Sequence, residues 1–354
     1  MTDRINKLQA KLHENEGALI TDAADRLYLT GFPSSAGIVF VTAKSALFII
    51  DFRYFEKAKR EVSGAEVVLP EDVKTQLCNV ISAEKITEIF VRTECMSMSE
   101  FRLYNKMLDG ILSESRVLDS IMTELRSIKT CDEIENIRCA QAFTEQTFDY
   151  ILGRIESGRT EREIMLDMEF FMRRLGSDGV AFDFIVVSGK NSSLPHGVPT
   201  DKRVCAGDFV TMDFGAVYNG YRSDMTRTVA VGQISERQRA VYETVLNAQS
   251  MALEAIDPGR ICRDIDAVAR NYINDSGYGG CFGHGLGHSV GVEIHENPSF
   301  NTMCDTVLLP GMVMTVEPGI YLQNEFGVRI EDMIVVTEDG CEDITHSPKE
   351  LIVL

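Results

Sequence analysis

The sequence predicts an α/β (α+β) chain of two domains, and three observations predict it. At 354 residues the chain is too long for one small core and suits two domains of ordinary size. Its first third alternates strand-like and helix-like patterns, which implies mixed layers of helix and sheet. From about Ser127 the texture changes to longer helical patterns with strand candidates around them. An N-terminal domain is therefore expected over residues 1–125 and a second over 126–354.

In the first domain "AGIVFVTA" and "SALFIID" are β-branched and aromatic runs of strand length. "FRYFEKAKREV" and "EDVKTQLCNVIS" mix polar and apolar residues at helical spacing, with "AEVVLP" and "KITEIFV" as strands between them. "MSEFRLYNKMLDG" reads as a helix stopped by its glycine. In the second domain "TCDEIENIRCAQAFTEQTFDYIL" is a long helix opened by Thr130 with acids in its first turn. "TEREIMLDMEFFMRRLG" opens with a Thr160-x-x-Glu163 capping box and closes on Gly176. "SERQRAVYETVLNAQSMALEAI" and "RICRDIDAVARNYINDSG" form a later pair of helices. Five strand candidates surround these helices: "FDFIVVSG", "DFVTMDFGAVYNG", "RSDMTRTVAVG", "VMTVEPGIYL" and "FGVRIEDMIVVTEDG".

Composition narrows the function. A net charge of −19, most of it after residue 125, repels phosphate backbones and argues against nucleic acid as a partner. No apolar run approaches the ~20 residues that span a bilayer, so no membrane partner is expected. The first residues, "MTDRINKLQAKLHENEG", lack the apolar core of a signal peptide. Nine cysteines without any CxxC pair argue for reduced thiols and a cytoplasmic location.

The chemistry lies in acids that stand where acids are costly. Asp213 in "VTMDFGA", Asp224 in "YRSDMTRT", Glu317 in "MTVEPGIYL" and Glu331 in "GVRIEDM" all sit in strand-like apolar context. Four such carboxylates stay ionised together only if something positive neutralises them, and two divalent cations would do so. An imidazole completes such a set, and "GHGLGHSVGVEIHENP", Gly283 to Pro298, places three of the chain's six histidines in one stretch. The eleven-residue step from Asp213 to Asp224 fits adjacent antiparallel strands joined at "YNGY". His284 stands four residues before His288, but the glycines between them make a helical zinc pair implausible and read better as close backbone approach. Taken singly, an acid at a strand end is usually a turn or surface residue; the argument rests on the set.

These motifs, in this order, resemble the pita-bread metallopeptidase family (M24), which includes methionine aminopeptidase, aminopeptidase P, prolidase and creatinase. "DRLYLTGF" and "DFRYFEKA" resemble the creatinase-type N-terminal domain of its Xaa-Pro-cleaving branch. The resemblance implies a creatinase-type α/β domain followed by a pita-bread catalytic domain. It implies that Asp213, Asp224, His288, Glu317 and Glu331 ligate two metal ions, with Asp224 and Glu331 bridging. Mn²⁺ is the family's common ion, while Co²⁺, Zn²⁺ and Fe²⁺ stay open.

By the same resemblance, His295 serves the carbonyl oxyanion, His196 the leaving-group side, and Glu317 a proton shuttle as well as a ligand. His284, Arg329 and Tyr321 fall at substrate-pocket positions; Arg329 either orients a bridging carboxylate or meets a substrate carboxylate. His13 and His346 lie in polar context and are assigned no role. The expected reaction is hydrolysis of the bond between an N-terminal residue and proline, with proline-containing peptides as substrates and a homodimer as the assembly. The motifs are shared by aminopeptidase P, the reading preferred, and by Xaa-Pro dipeptidase, its alternative. Methionine aminopeptidase is disfavoured because it lacks the first domain, and creatinase because it does not need five intact ligands. A non-catalytic interaction scaffold of the same fold should show eroded ligands, and here all five are present.

Overall fold

A computed structural model describes residues 2–354, and the chain divides into two compact units, Met1–Arg126 and Ser127–Leu354. In the first, α1 (Thr2–Gln9) precedes β1 (Glu16–Ile20). The Asp22 side chain accepts from Asp25 N and opens α2 (Ala23–Thr30), which Gly31 closes in a left-handed conformation. The hairpin β2 (Ile38–Thr42) and β3 (Ala46–Ile49) follows, both strands buried throughout. Then come α3 (Phe52–Glu61), β4 (Glu66–Val68), α4 (Val73–Glu84) and β5 (Glu88–Val91). A Ser97/Glu100 capping box opens α5 (Met98–Met107); β6 (Leu112–Ser113) and α6 (Val117–Ser127) complete the series. The expected stop at Gly110 comes earlier, because Asp109 already turns left-handed at φ 54°. The six strands make one mixed sheet in the order β4-β3-β2-β1-β5-β6, parallel at β4–β3, β1–β5 and β5–β6 and antiparallel at the β2–β3 hairpin and between β1 and β2.

The second unit opens with two capped helices. Thr130 and Glu133 cap α7 (Cys131–Leu152) reciprocally; Thr160 and Glu163 do the same for α8 (Glu161–Leu175), which ends on Gly176 at φ 105°. β7 (Gly179–Val180) and β8 (Ile185–Ser188) follow, then a 3₁₀ turn over Gly189–Ser193. Next come β9 (Phe209–Phe214), β10 (Ala216–Tyr218), β11 (Tyr221–Arg222) and β12 (Met225–Ala230). The helix pair α9 (Glu236–Ala255) and α10 (Cys262–Ile273) leads to β13 (Gly287–Ser289), β14 (Glu296–Phe300) and β15 (Val313–Val316). The last strands are β16 (Gly319–Leu322), β17 (Phe326–Arg329), β18 (Asp332–Thr337) and β19 (Gly340–Asp343). They form antiparallel sheets β11-β10-β7, β12-β9-β8, β14-β13-β15-β18-β19 and β16-β17. One core collects α9, α10 and the later strands through Val245, Ile265, Met314 and Ile334; the other collects α7, α8 and the earlier strands through Phe148, Met168 and Met212.

The strands depart from expectation in one instructive way. Four of the five predicted runs do not continue as single strands; each breaks in two and changes sheet. "DFVTMDFGAVYNG" breaks at Gly215, where a Cβ would stand 1.9 Å from Ser223 O. "RSDMTRTVAVG" breaks at Ser223 and Asp224, "VMTVEPGIYL" at Glu317 and Pro318, and "FGVRIEDMIVVTEDG" at Ile330 and Glu331. Of the four acids only Asp213 lies within a strand; the other three occupy the breaks. Two predicted details hold. Asn219 and Gly220 turn left-handed between the paired residues Tyr218 and Tyr221, and the hairpin continues into β9–β12, where Asp213 faces Thr226.

Candidate metal centre

Strand breaks free the acids from ladder geometry and let them converge. Glu331 N donates to Thr226 O at 3.1 Å, and Glu317 N to Leu286 O at 2.7 Å, so the breaks are themselves hydrogen-bonded. Ligand atoms of Asp224, His288 and Glu331 lie within 4.8 Å of one another. His288 Nε2 is 3.6 Å from Asp224 Oδ2 and 3.4 Å from Glu317 Oε1. Its Nδ1 is 3.2 Å from Ser289 O, which can only accept, so Nδ1 carries the proton and the Nε2 lone pair faces the carboxylates. Burial pushes the His288 pKa down to about 4, so these contacts are those of a neutral imidazole, not of an ion pair. Gly287 lets this strand approach: a Cβ there would stand 2.0 Å from Thr315 O.

The acids are held from behind. Thr226 Oγ1 donates to Glu331 Oε2 at 2.7 Å and Thr315 Oγ1 to Glu317 Oε1 at 3.3 Å. Asp213 stands outside the tight group, its Oδ2 gripped by Arg329 Nη2 at 2.6 Å. Arg329, buried, also donates to Tyr321 Oη at 2.8 Å, Pro195 O at 3.2 Å and Thr226 Oγ1 at 3.0 Å. Every nitrogen of its guanidinium is therefore engaged with the protein.

The residues fit a divalent cation. Asp213 Oδ1 and Asp224 Oδ1 are buried without any hydrogen-bond partner. Burial first, then the neighbouring acids, raises the carboxyl pKa values of Asp224 and Glu331 well above the ordinary range; burial raises Glu317 to about 8. Such a group of oxygens plus one neutral imidazole suits a hard or borderline divalent ion.

Around this cluster lies a cavity of about 960 Å³. It is lined by all five expected ligands together with His196, His284, His295 and Arg329, so nine of the ten expected residues come together in one hollow. Tyr321, the tenth, stands behind it, bonding His284 Nε2 at 2.9 Å and Arg329, with burial raising its pKa to about 12. His295 packs edge-on against His288, ring centroids 4.4 Å apart, and burial lowers its pKa. Burial also lowers His284 to about 4. His13 and His346 are exposed and do not line the cavity.

Several supporting residues carry no distinctive mark in the sequence. Asp266 and Arg270, one turn apart on α10, pin the glycine-rich segment: Asp266 accepts from Leu286 N at 3.0 Å and Arg270 donates to His284 O at 2.6 Å. Their i, i+4 spacing is visible in the chain, but its target, fourteen or more residues away, is not. Glu161 is buried completely and collects Ser188 N, Ser188 Oγ, Asn191 Nδ2, Thr200 N and Thr200 Oγ1. It closes the base of the loop that carries His196; in the sequence it is one more acid in the first turn of a helix.

Comparison with known proteins adds to this geometry. Residues 135–338 match Metallopeptidase family M24, and residues 4–128 match the Creatinase/Prolidase N-terminal domain. An Xaa-Pro dipeptidase of Pyrococcus furiosus is 38% identical over 360 residues, covering 99% of this chain and 100% of the relative. A solved Xaa-Pro dipeptidase from Bacillus anthracis superposes with a TM-score of 0.94 at 41% identity over 99% of both chains. A solved X-Pro aminopeptidase from Thermotoga maritima superposes with a TM-score of 0.90 at 37% identity, over 98% of this chain and 100% of that one.

Proposed function

The chain belongs to metallopeptidase family M24, in its Xaa-Pro peptidase branch, and from that premise we propose that it is an Xaa-Pro dipeptidase. The observation that carries the proposal is end-to-end similarity to Xaa-Pro dipeptidases combined with an uneroded acidic cluster in the cavity. The preference for aminopeptidase P drawn from the motifs gives way here, because both activities share every motif and the named relatives favour the dipeptidase. The solved X-Pro aminopeptidase keeps longer peptides as the outcome to test against.

In this reading Asp213, Asp224, His288, Glu317 and Glu331 would hold two divalent ions, Mn²⁺ by preference. When bound, such ions polarise the scissile carbonyl and lower the pKa of water. The protein's own groups do the rest. Glu317 accepts a proton from the attacking water, held for that task by Thr315 Oγ1. His295, whose pKa is lowered by partial burial, donates its N–H to the oxygen of the carbonyl as negative charge develops there. His196, at the exposed lip of the cavity, delivers a proton to the departing proline nitrogen, which carries no N–H of its own. His284, bonded to Tyr321, lines the pocket, and Arg329 fixes Asp213 rather than meeting a substrate carboxylate. A cytoplasmic homodimer belongs to the same proposal. Nine free cysteines agree with a reducing compartment, and among the described residues no helix is long and apolar enough to cross a membrane.

The test is hydrolysis of Ala-Pro and Ala-Pro-Ala by Mn²⁺-loaded protein, with N-acetyl-Ala-Pro as a control. Cleavage of Ala-Pro alone is expected. Equal cleavage of Ala-Pro-Ala would move the assignment to an aminopeptidase, and no cleavage of either proline peptide would overturn the reading.

A further inference from the structure

Two residues adjacent to the site histidines share a buried cation that the reaction scheme above leaves without a part. Lys129, just before α7, has a side chain only 2% exposed. Its Nζ donates to Ser289 Oγ at 2.7 Å and lies 3.3 Å from Glu296 Oε2, on a side chain 4% exposed. Ser289 follows His288 and Glu296 follows His295. The two partners face each other across β13–β14, and the ladder shifts by a bulge between His288 and Ser289. One ammonium therefore grips both strands at the residues that adjoin the two imidazoles.

The carboxylate at this grip also shapes the loop leading to His295. Glu296 Oε1 accepts from Glu293 N at 3.1 Å. A Cβ on Gly291 would stand 2.5 Å from the same oxygen, so the loop wraps closely around the carboxylate. Lys129 is fixed in turn by its backbone, whose N–H donates to Gly311 O at 2.9 Å, just ahead of β15. Such burial of an ion pair is a poor way to gain stability, since an apolar pair of similar volume commonly serves as well. What an ion pair supplies here is directional placement of the two strands.

We infer that Lys129 and Glu296 are positioning residues for turnover: their pairing behind β13–β14 sets His295 against His288, at 4.4 Å between ring centroids, in the geometry the carbonyl oxygen requires. The inference rests on the proposed role of His295 and adds to it the pair through which that role is set.

The experiment is a double-mutant cycle on the metal-loaded protein. Lys129→Met alone strands a buried carboxylate, so it is combined with Glu296→Gln, which leaves the clamp uncharged and preserves an acceptor for Glu293 N. The paired variant is expected to keep its bound metal and its melting temperature within a few degrees, and to lose roughly 10- to 100-fold in kcat on Ala-Pro with little change in KM. In a His295→Ala background the same paired change should cost less than about threefold, because both act through one group. If His295→Ala is impaired but the paired variant turns over normally, or its losses multiply with those of His295→Ala, the clamp has no positioning role and the inference falls while the reading of His295 stands. If His295→Ala itself turns over normally, the reading of His295 fails and takes the inference with it.

Discussion

Replacing Glu161 by glutamine alters a single carboxylate oxygen, yet that oxygen holds one end of the loop that bears His196. Oε1 accepts from Ser188 N at 2.7 Å, Ser188 Oγ at 2.9 Å and Asn191 Nδ2 at 3.1 Å; Oε2 accepts from Thr200 N at 3.0 Å and Thr200 Oγ1 at 2.6 Å. A glutamine can keep its carbonyl toward Ser188 and turn its NH₂ toward Thr200 Oγ1, which can switch to accepting. Thr200 N then has no acceptor, at a cost of ~1–3 kcal/mol. The bonds retained lose their ionic partner, roughly 0.5 kcal/mol each. Together the loop loses about 3 kcal/mol against opening, which corresponds to ~10²-fold faster amide exchange over residues 189–200 if closing outpaces exchange. Hydrogen exchange read by mass spectrometry is the assay, with metal content and kcat on Ala-Pro measured beside it. Metal content should hold, since no expected ligand lies on that loop, while kcat falls because His196 rides on it. Unchanged protection of residues 189–200 would refute the reasoning, and lost metal would show that the loop supports the cluster instead.

Further outcomes follow from buried acids. Asp224→Asn and Glu331→Gln should each abolish metal retention and turnover, yet after chelation both variants should melt above chelated wild type, because burial and neighbouring acids already oppose ionisation at these positions. The sign extends to pH. A folded-state carboxyl raised to about 8, as at Glu317, keeps its proton longer than in the unfolded chain, so the chelated protein should lose stability as pH rises from its ordinary value of 4.5 towards 8. Chelated variants melting below chelated wild type would contradict this. In the first unit, burial and then Asp25 raise Asp22 to about 6 from an ordinary 3.8, so that unit should weaken between roughly pH 4 and 6. Asp22→Asn retains the acceptor for Asp25 N and should add on the order of 2 kcal/mol at pH 7 in urea unfolding, flattening that slope; an unchanged pH profile would exclude the mechanism.

The features legible from sequence are those settled within a few residues. Thr130 with Glu133, Thr160 with Glu163 and Ser235 with Gln238 close their capping boxes inside one helical turn, so the helix starts can be read directly or nearly so. Asn219-Gly220 makes its own turn for the same reason. The acids are legible in a different way: one carboxylate in an apolar run says little, but the set of Asp213, Asp224, Glu317 and Glu331 signals a shared positive partner on chain context alone.

Tertiary structure decided the rest, because it depends on groups far apart in the chain. Four apolar runs read as continuous strands, but each breaks where backbone from elsewhere arrives: Ser223 O against Gly215, Ala216 O on Ser223 N, Thr226 O on Glu331 N, Leu286 O on Glu317 N. No local pattern encodes those arrivals, and it is the breaks that aim three of the acids inward. Lys129 and Glu161 resemble ordinary charges beside helix starts, since their partners Ser289, Glu296, Ser188 and Thr200 lie 27 to 167 residues away. Sequence thus named the groups able to hold charge. Only the folded chain decided which of them share one cavity, since convergence is set by distances through space that spacing along the chain does not contain.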